Sequence, residues 1–279
     1  MPGTLQRFQI MMDPTNTRHA QLKTLAQWVG SAPWRATLPH SRDTHALIWI
    51  TRGQGRCLLG GRRCGLSVHS AVIIPAHTLF ALEPGAQSFG LVCDIPTKSS
   101  ILMPDEPMVL RIRDPRAQAE LTTLMETMQR DQNEARPFWD EALNAHASLI
   151  TVWLRRAIIA QDDAVLPRET ASDRLLSAYA ALIERDYATG RAMQDYARRL
   201  GVTPTHLTRT CKSAIGMTAS DLLTRRILYG ARDLLETTEL PANQIAARLG
   251  FRSAAYFTRF VQRHTGKSPT ELRFKLAKV

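Results

Sequence analysis

The chain has 279 residues, of which 44% are hydrophobic and 22% are charged, so it is long enough for two domains with buried cores and is not disordered in composition. The sequence shows no run of about 20 apolar residues, no pattern typical of a secretory leader and no closely spaced cysteines, so we expect neither a membrane span nor a secreted disulfide framework. We therefore expect a cytoplasmic protein that has no membrane partner.

The first half of the chain changes from a short helical pattern to a β pattern. Apolar residues at Leu22, Leu25 and Val29 predict a short helix. From about residue 32 to residue 108, short apolar runs separated by Gly and Pro predict strands and favour a compact barrel or sandwich. The clearest runs occupy residues 46–50, 71–74 and 89–93.

From Pro115 onward the pattern is helical. Two apolar stripes recur at helical spacing: Leu121, Leu124, Met125 and Met128, then Leu143, Leu149, Ile150, Trp153 and Leu154. The first stripe either packs in the core or contacts a second copy of the chain, and both alternatives stay open at this point. A polar stretch that contains Pro167 predicts a linker over residues 166–172, and we expect helices throughout the remainder.

Positive charge is concentrated in the C-terminal part of the chain, whose net charge overall is +11. Residues 173–279 hold 18 Lys and Arg against 9 Asp and Glu, whereas residues 1–172 hold 18 against 16. This asymmetry indicates a polyanionic partner such as nucleic acid, with a merely solvated basic face as the alternative.

The C-terminal part contains an internal repeat with a period of about 50 residues. The segment Arg199-Leu200-Gly201, followed by Thr208-Arg209, returns as Arg248-Leu249-Gly250, followed by Thr258-Arg259. The offset is 49 residues through the glycine and 50 residues beyond it, so the second copy has one extra residue in its turn.

Each copy has the pattern of a helix, a tight turn and a second helix. Gly201 and Gly250 tolerate the left-handed conformation that ends helices. Thr203 and Ser253 are suited to cap the helix that follows, and Pro204 occupies a first helical position, where its missing N–H costs nothing. This pattern predicts two helix-turn-helix units.

The second helix of each unit is expected to enter a major groove. We expect its buried face to carry Leu207, Cys211 and Ala214 in the first unit and Phe257, Val261 and His264 in the second. Arginine pairs bidentately with guanine, threonine and alanine touch the thymine methyl, and Arg252 and Arg263 at the edges suit phosphate contacts. The candidate DNA-binding residues are Thr203, Thr205, His206, Thr208, Arg209, Lys212, Arg252, Ser253, Ala254, Thr258, Arg259, Gln262 and Arg263.

One long helix, Ala219–Thr237, is predicted between the two units. At 1.5 Å per residue it would span roughly 28 Å, close to the roughly 34 Å of one DNA turn. The alternative is an ordinary helical bundle whose glycines only end helices. Two copies with matched caps, stops and Thr-Arg pairs argue against that alternative.

Residues from about 173 to 276 resemble the DNA-binding domain of the AraC/XylS family of bacterial regulators. The likeness is clearest in Gln244-Ile-Ala-Ala-Arg-Leu-Gly-Phe, Ser253-Ala-Ala-Tyr-Phe-Thr-Arg-Phe and Gly266-Lys-Ser-Pro-Thr-Glu-Leu-Arg. The resemblance implies a sequence-specific transcription regulator, usually an activator, with double-stranded DNA and RNA polymerase as partners. Departures from the family pattern are Cys211 and Val261, where a larger aromatic is common, and Ala254-Ala255, where polar residues are common.

By the same resemblance, the N-terminal half would be a cupin-like β-barrel followed by helices, with sensing and dimerisation roles. The expected fold is therefore an α+β two-domain chain with an all-α double helix-turn-helix domain at its C-terminus. The expected domains are residues 1–165 for effector binding and dimerisation, residues 166–172 for the linker and residues 173–279 for DNA binding.

A cupin-like domain raises the question of a metal centre. Phe80 stands where a cupin ligand histidine is expected, and His40, His45, His69 and His77 are single. Nucleophile and phosphate-binding motifs are also missing. We therefore expect no metal, no cofactor and no catalytic residues, and a cupin-type metalloenzyme with a DNA-binding appendage is kept as the alternative.

A barrel of this size can hold one small effector. Its candidate lining residues are Trp34, Arg35, Trp49 and His77, with core and rim positions as the alternative. Separately, a two-residue hairpin at Gly60-Gly61 would place Cys57 opposite Cys64. A reducing cytoplasm favours free thiols there, so a redox role is left open.

Overall fold

The structure is a computed structural model that describes residues 19–30, 32–162 and 170–273, with a β-rich N-terminal part and a helical C-terminal part. Within these ranges, the strands are β1 (Gln21–Thr24), β2 (Thr44–Arg52), β3 (Gly55–Leu59), β4 (Arg62–Leu66), β5 (Ser70–Ile74), β6 (Phe80–Pro84), β7 (Phe89–Pro96) and β8 (Met108–Arg111). The helices are α1 (Leu25–Val29), α2 (Trp34–Thr37), α3 (Pro115–Glu134), α4 (Trp139–Asp162), α5 (Ala171–Asp186), α6 (Met193–Arg199), α7 (Pro204–Ile215), α8 (Ala219–Thr237), α9 (Ala242–Arg248), α10 (Ala254–Thr265) and α11 (Pro269–Arg273). Among the helices described, none is both long and apolar enough to cross a membrane.

The strands form two antiparallel sheets that face each other. The larger sheet has the order β1-β7-β2-β5-β8, and the smaller has the order β4-β3-β6. The expected α+β two-domain fold is confirmed. The strands of the N-terminal domain, however, form two facing sheets and not one closed barrel. The reason is that, in the described part of the chain, β3 pairs with β4 and β6, and neither of these joins the larger sheet.

The larger sheet is buried on both faces, and strand β2 shows how. Ala46, Ile48 and Ile50 point into the core between the two sheets, whereas Leu47 and Trp49 point into a second core beneath α3 and α4. All five are 2% exposed or less, so the strand is a continuous apolar run with two separate packing surfaces.

Helices α3 and α4 cover the outer face of the larger sheet. Leu121, Met125 and Met128 are fully buried in that core, which confirms the core alternative for the first apolar stripe. The prediction for the second apolar stripe was partly wrong, because Leu149 is 54% exposed on the outer side of α4.

Two local predictions in the N-terminal part were also wrong. Leu22 lies in β1, because this segment pairs with β7, and the helix begins only at Leu25 after a capping box at Thr24. Within the expected β region, Trp34–Thr37 forms a short helix that places the aromatic ring of Trp34 and the guanidinium of Arg35 beside α8.

The smaller sheet lies between the larger sheet and the C-terminal helices. On its outer face, Leu58 and Ala81 share one apolar cluster with Tyr179 of α5 and with Leu207 and Ile215 of α7. The two halves of the chain are therefore packed together through β3 and β6. Most of the predicted linker, residues 163–169, lies outside the described residues, and α5 begins at Ala171 with a Thr170 cap.

Candidate nucleic-acid interface

The structure forms both predicted helix-turn-helix units. In the first, α6 ends before Gly201 at φ 69°, and α7 starts after Thr203, whose hydroxyl accepts the His206 N–H at 3.2 Å. In the second, α9 ends before Gly250 at φ 73°. Helix α10 starts after Ser253, whose hydroxyl accepts the Tyr256 N–H at 3.2 Å. The glycines and the caps therefore act as the sequence predicted.

The buried faces of α7 and α10, the reader helices, are mostly as expected. Leu207 and Cys211 in the first and Phe257 and Val261 in the second are completely buried. The prediction was wrong at the same repeat position in both helices: Ala214 and His264 are exposed. Helical phase alone does not decide burial in the last turn, because neighbouring elements must cover it.

The opposite faces of the reader helices are open to solvent. All thirteen candidate DNA-binding residues lie on these faces or at the caps and are at least partly exposed, Thr208 and Thr258 being the least so. Pro204, Thr205, Thr208, Arg209 and Lys212 line one open groove along α7. Tyr256, which sequence analysis missed, is 57% exposed on α10, and the repeat offset of 50 pairs it with His206.

Helix α8 spans Ala219–Thr237, as predicted, and connects the two units. The Tyr179 hydroxyl of α5 donates to the carbonyl oxygen of Ala219 at 2.7 Å and fixes the start of α8. At the other unit, a Cβ added to Gly190 would collide with the carbonyl of Gly250. Close backbone contact thus ties the turn of the second unit to the segment that precedes α6, so the two reader helices belong to one packed body of helices.

Two acidic residues, the half-buried Glu184 and the buried Asp186, organise the centre of this helical body. The Arg226 guanidinium donates to both Glu184 carboxylate oxygens at 2.6 and 3.0 Å and lies over the Tyr187 ring. Burial alone would raise the pKa of Asp186, but Arg185, Arg199 and Arg191 lower it below its ordinary value. These pairs neutralise charge inside the domain, so the basic excess is left on the surface.

Segment 34–41 contacts α8 and α5 directly, and we call these contacts the clasp. Arg35 pairs with Asp233 of α8 at 3.0 Å, and Ser41 donates to Glu184 of α5 at 2.7 Å. The His40 ring stacks on Tyr229 with centroids 4.2 Å apart and planes 2° apart. The N-terminal part therefore contacts the helix that sets the separation of the two reader helices.

The four residues expected to line an effector pocket lie in three places. Trp34 and Arg35 belong to the clasp. Trp49 is buried on the far side of the larger sheet, where its indole N–H donates to a threonine of α3. His77 is in the loop between β5 and β6 and lines a groove of about 300 Å³ between the smaller sheet and α5. The structure does not bring these four side chains together.

The histidines and cysteines are also separated from one another. Across the described ranges, no three His, Cys, Asp or Glu side chains are grouped as metal ligands would be. Cys57 and Cys64 face each other across β3 and β4, as the predicted hairpin requires. A hydrogen bond from Cys57 and the nearby Arg62 cation lower the pKa of Cys64 to about 7, although burial opposes the shift.

Two exposed reader helices on one packed helical body, joined to a sheet domain, define a two-domain helix-turn-helix DNA-binding protein. Known families agree with each part: residues 30–149 match the AraC-like ligand binding domain, and residues 196–275 match a helix-turn-helix domain. The chain belongs to the AraC family of transcription regulators.

Similar proteins include the transcriptional activator RhaR of Klebsiella pneumoniae, 31% identical over 47% of this chain and 47% of its own length. The regulatory protein HrpB of Ralstonia nicotianae is 32% identical over 43% of this chain and 27% of its own length. The alignments thus span about half the length of the RhaR relatives. Among solved structures, ToxT of Vibrio cholerae O395 aligns over 94% of this chain and 100% of its own, with 15% identity and a TM-score of 0.43.

Proposed function

We propose that this protein is a cytoplasmic, effector-responsive transcription regulator that binds two adjacent major grooves of promoter DNA. The observation that carries the proposal is the duplicated unit: α7 and α10 are capped alike, buried alike and open to solvent on equivalent faces. Helix α8 is 19 residues long, so it spans roughly 28 Å and suits a separation of one DNA turn.

The exposed residues divide into base-reading and phosphate-binding groups. Arg209 and Arg259 lie in the middle of their reader helices, where bidentate pairing with guanine is possible, and Thr208 and Thr258 beside them suit thymine methyl groups. Thr203 and Ser253 use their hydroxyls as caps, so their contribution to DNA is positional. The remaining basic residues at the helix edges suit phosphate oxygens.

Arg209→Ala tests the base-reading role. On a site selected from random duplexes by the full chain, the loss should be about 1–3 kcal/mol, roughly 5- to 150-fold in affinity. On a duplex of mixed sequence the loss should be much smaller. An equal loss on both duplexes would make Arg209 a phosphate contact and would contradict the proposed role. Arg116→Ala, on the exposed surface of α3, is the matched control.

The clasp supports coupling between the N-terminal domain and DNA binding. We propose that a small effector bound by the N-terminal domain shifts segment 34–41 and, through it, α8. Arg35→Ala removes the ion pairs of Arg35 with Asp233 and Glu236, and it should change the DNA affinity of the full chain more than Arg116→Ala, which removes the same charge from an exposed site. Equal affinities of the two variants would contradict coupling through the clasp.

We propose a domain division at residues 1–165, 166–172 and 173–279, and we infer that a second copy and RNA polymerase are partners in activation. Leu149 and Ile159 are exposed on α4 and offer an apolar surface to a second copy. Light scattering at micromolar concentration should give twice the chain mass, and Leu149→Glu should reduce it. We propose no catalytic role; a stoichiometric metal in the purified protein would contradict this.

A further inference from the structure

The β3–β4 hairpin brings a basic surface of the N-terminal domain beside the first reader helix. A Cβ added to Gly61 at the hairpin turn would lie 2.5 Å from the Leu176 carbonyl oxygen, so the turn is pressed against α5. In the same hairpin, Arg63 reaches Gly216, the residue that ends α7, with its Nη1 atom 3.4 Å from the position of an added Cβ. The hairpin is therefore in contact with the end of a predicted DNA-binding helix.

A cavity of about 250 Å³ separates the hairpin from α7 and α8. Its floor is apolar, with Leu58 and Ile215, and three arginines lie around it. Arg56 pairs with Glu83 at 3.0 Å. Arg63 and Arg225, one from each domain, are exposed, and neither has a carboxylate within ion-pair distance among the residues described.

The same two arginines extend the basic face of α7. Lys212 lies on the open groove of that helix, and both Lys212 and Arg225 act on the Asp221 carboxylate at the start of α8. Basic side chains therefore follow one another from Arg209 through Lys212 and Arg225 to Arg63. This continuity places the β3–β4 hairpin next to the DNA sugar-phosphate backbone that would border the major groove entered by α7.

We propose that Arg63 and Arg225 bind the phosphate backbone of the same DNA, so that the N-terminal domain is part of the DNA interface. The inference rests on the proposed function, because it assumes that α7 enters a major groove. Long cationic side chains at the end of a reader helix suit phosphates, which fix position but carry no sequence information. A duplex carries one negative charge per roughly 1.7 Å, so a backbone beside the groove offers phosphates to both arginines.

The test uses the full chain and a labelled 30-base-pair duplex of mixed sequence, titrated by fluorescence anisotropy between 50 and 200 mM KCl. Each phosphate contact contributes about −0.9 to the slope of log K against log salt, so Arg63→Gln and Arg225→Gln should each flatten the slope by about 0.9. At 0.1 M KCl each substitution should weaken binding by about 8-fold. This is the factor that a slope of about 0.9 gives over the tenfold change in salt from 1 M to 0.1 M. Arg63→Lys should retain most of the slope.

The control is Arg116→Gln, an exposed arginine on α3 paired with Glu120, which should keep the wild-type slope. The affinity ratio between a selected site and the mixed duplex should be unchanged in Arg63→Gln. Slopes of Arg63→Gln and Arg225→Gln equal to that of the wild type would overturn the inference, and a small anion would then be the better occupant of the cavity. Failure of the wild-type chain to bind any duplex would instead overturn the proposed function.

Discussion

His40 makes the contact between the two domains sensitive to pH. Its ring is 1% exposed, between Phe80 and Tyr229 of α8, and its Nδ1 lies 2.9 Å from the Leu38 carbonyl oxygen. If Nδ1 carries the proton and donates to Leu38, Nε2 is left buried with no hydrogen-bond partner in the structure. Burial is the main cause that lowers the pKa of His40 to about 3, and the nearby arginines add to it.

The folded protein therefore keeps His40 neutral, whereas the unfolded chain protonates it near pH 6.5. Because the pKa of His40 is lower in the folded than in the unfolded chain, keeping this side chain neutral costs no stability above pH 6.5. As the pH falls from 6.5 towards 3, the free energy of unfolding decreases. At pH 5.5, protonation of His40 in the unfolded chain favours unfolding by about 11-fold. The free energy of unfolding is therefore about 1.4 kcal/mol lower than at pH 7.5.

His40→Phe keeps the ring stack and removes the titrating nitrogen. Urea unfolding at pH 7.5 and 5.5 measures the free energy of unfolding at each pH, and the difference between the two should be about 1.4 kcal/mol smaller in His40→Phe than in the wild type. Tyr229→Phe is the matched control, because it keeps both the ring stack and the imidazole of His40, and it should keep the wild-type difference. The same pH dependence in His40→Phe as in the wild type would refute the assignment of a buried, neutral His40.

Three further predictions follow from packing and charge. Glu184→Ala should lower the free energy of unfolding by about 3–5 kcal/mol because it leaves Arg226 buried and unpaired, and replacing both residues by methionine should recover most of that loss in chemical denaturation. Cys64 should be the first thiol alkylated by iodoacetamide at pH 7.5, as read by peptide mass spectrometry, and equal rates for all cysteines would argue against its lowered pKa. Gly201→Ala should lower the free energy of unfolding by about 1–2 kcal/mol because of its positive φ alone, since an added Cβ there has open space. Gly250→Ala should lower it by about 1–3 kcal/mol more, because the added Cβ would overlap with Gly190. Equal melting temperatures of the two variants would contradict this difference.

The features that sequence predicted best are those with local causes. Helix α8 has the predicted bounds because a Thr218 cap starts it and its apolar period is regular, and the two turns are set by glycine at positive φ. The strands at 46–50, 71–74 and 89–93 were found because each is a continuous apolar run. These signals need no knowledge of neighbours in space.

The features that sequence missed depend on contacts between distant segments. Leu22 became a strand residue because β7 pairs with it, and Trp34 serves the clasp because α8 lies beside it. Ala214 is exposed although its helical phase favours burial, since none of the described elements covers it. The effector residues failed to converge for the same reason: alternation along β2 sends Trp49 to the side away from the smaller sheet.

The most direct test of the duplicated reader is dimethyl sulfate protection of guanine N7 atoms, which lie in the major groove. On a duplex selected by the full chain, we expect protected guanines in two clusters about 10 base pairs apart on one face. Arg209→Ala should remove protection in one cluster and Arg259→Ala in the other. A single cluster, or two clusters that both survive each substitution, would contradict a pair of helices reading adjacent grooves.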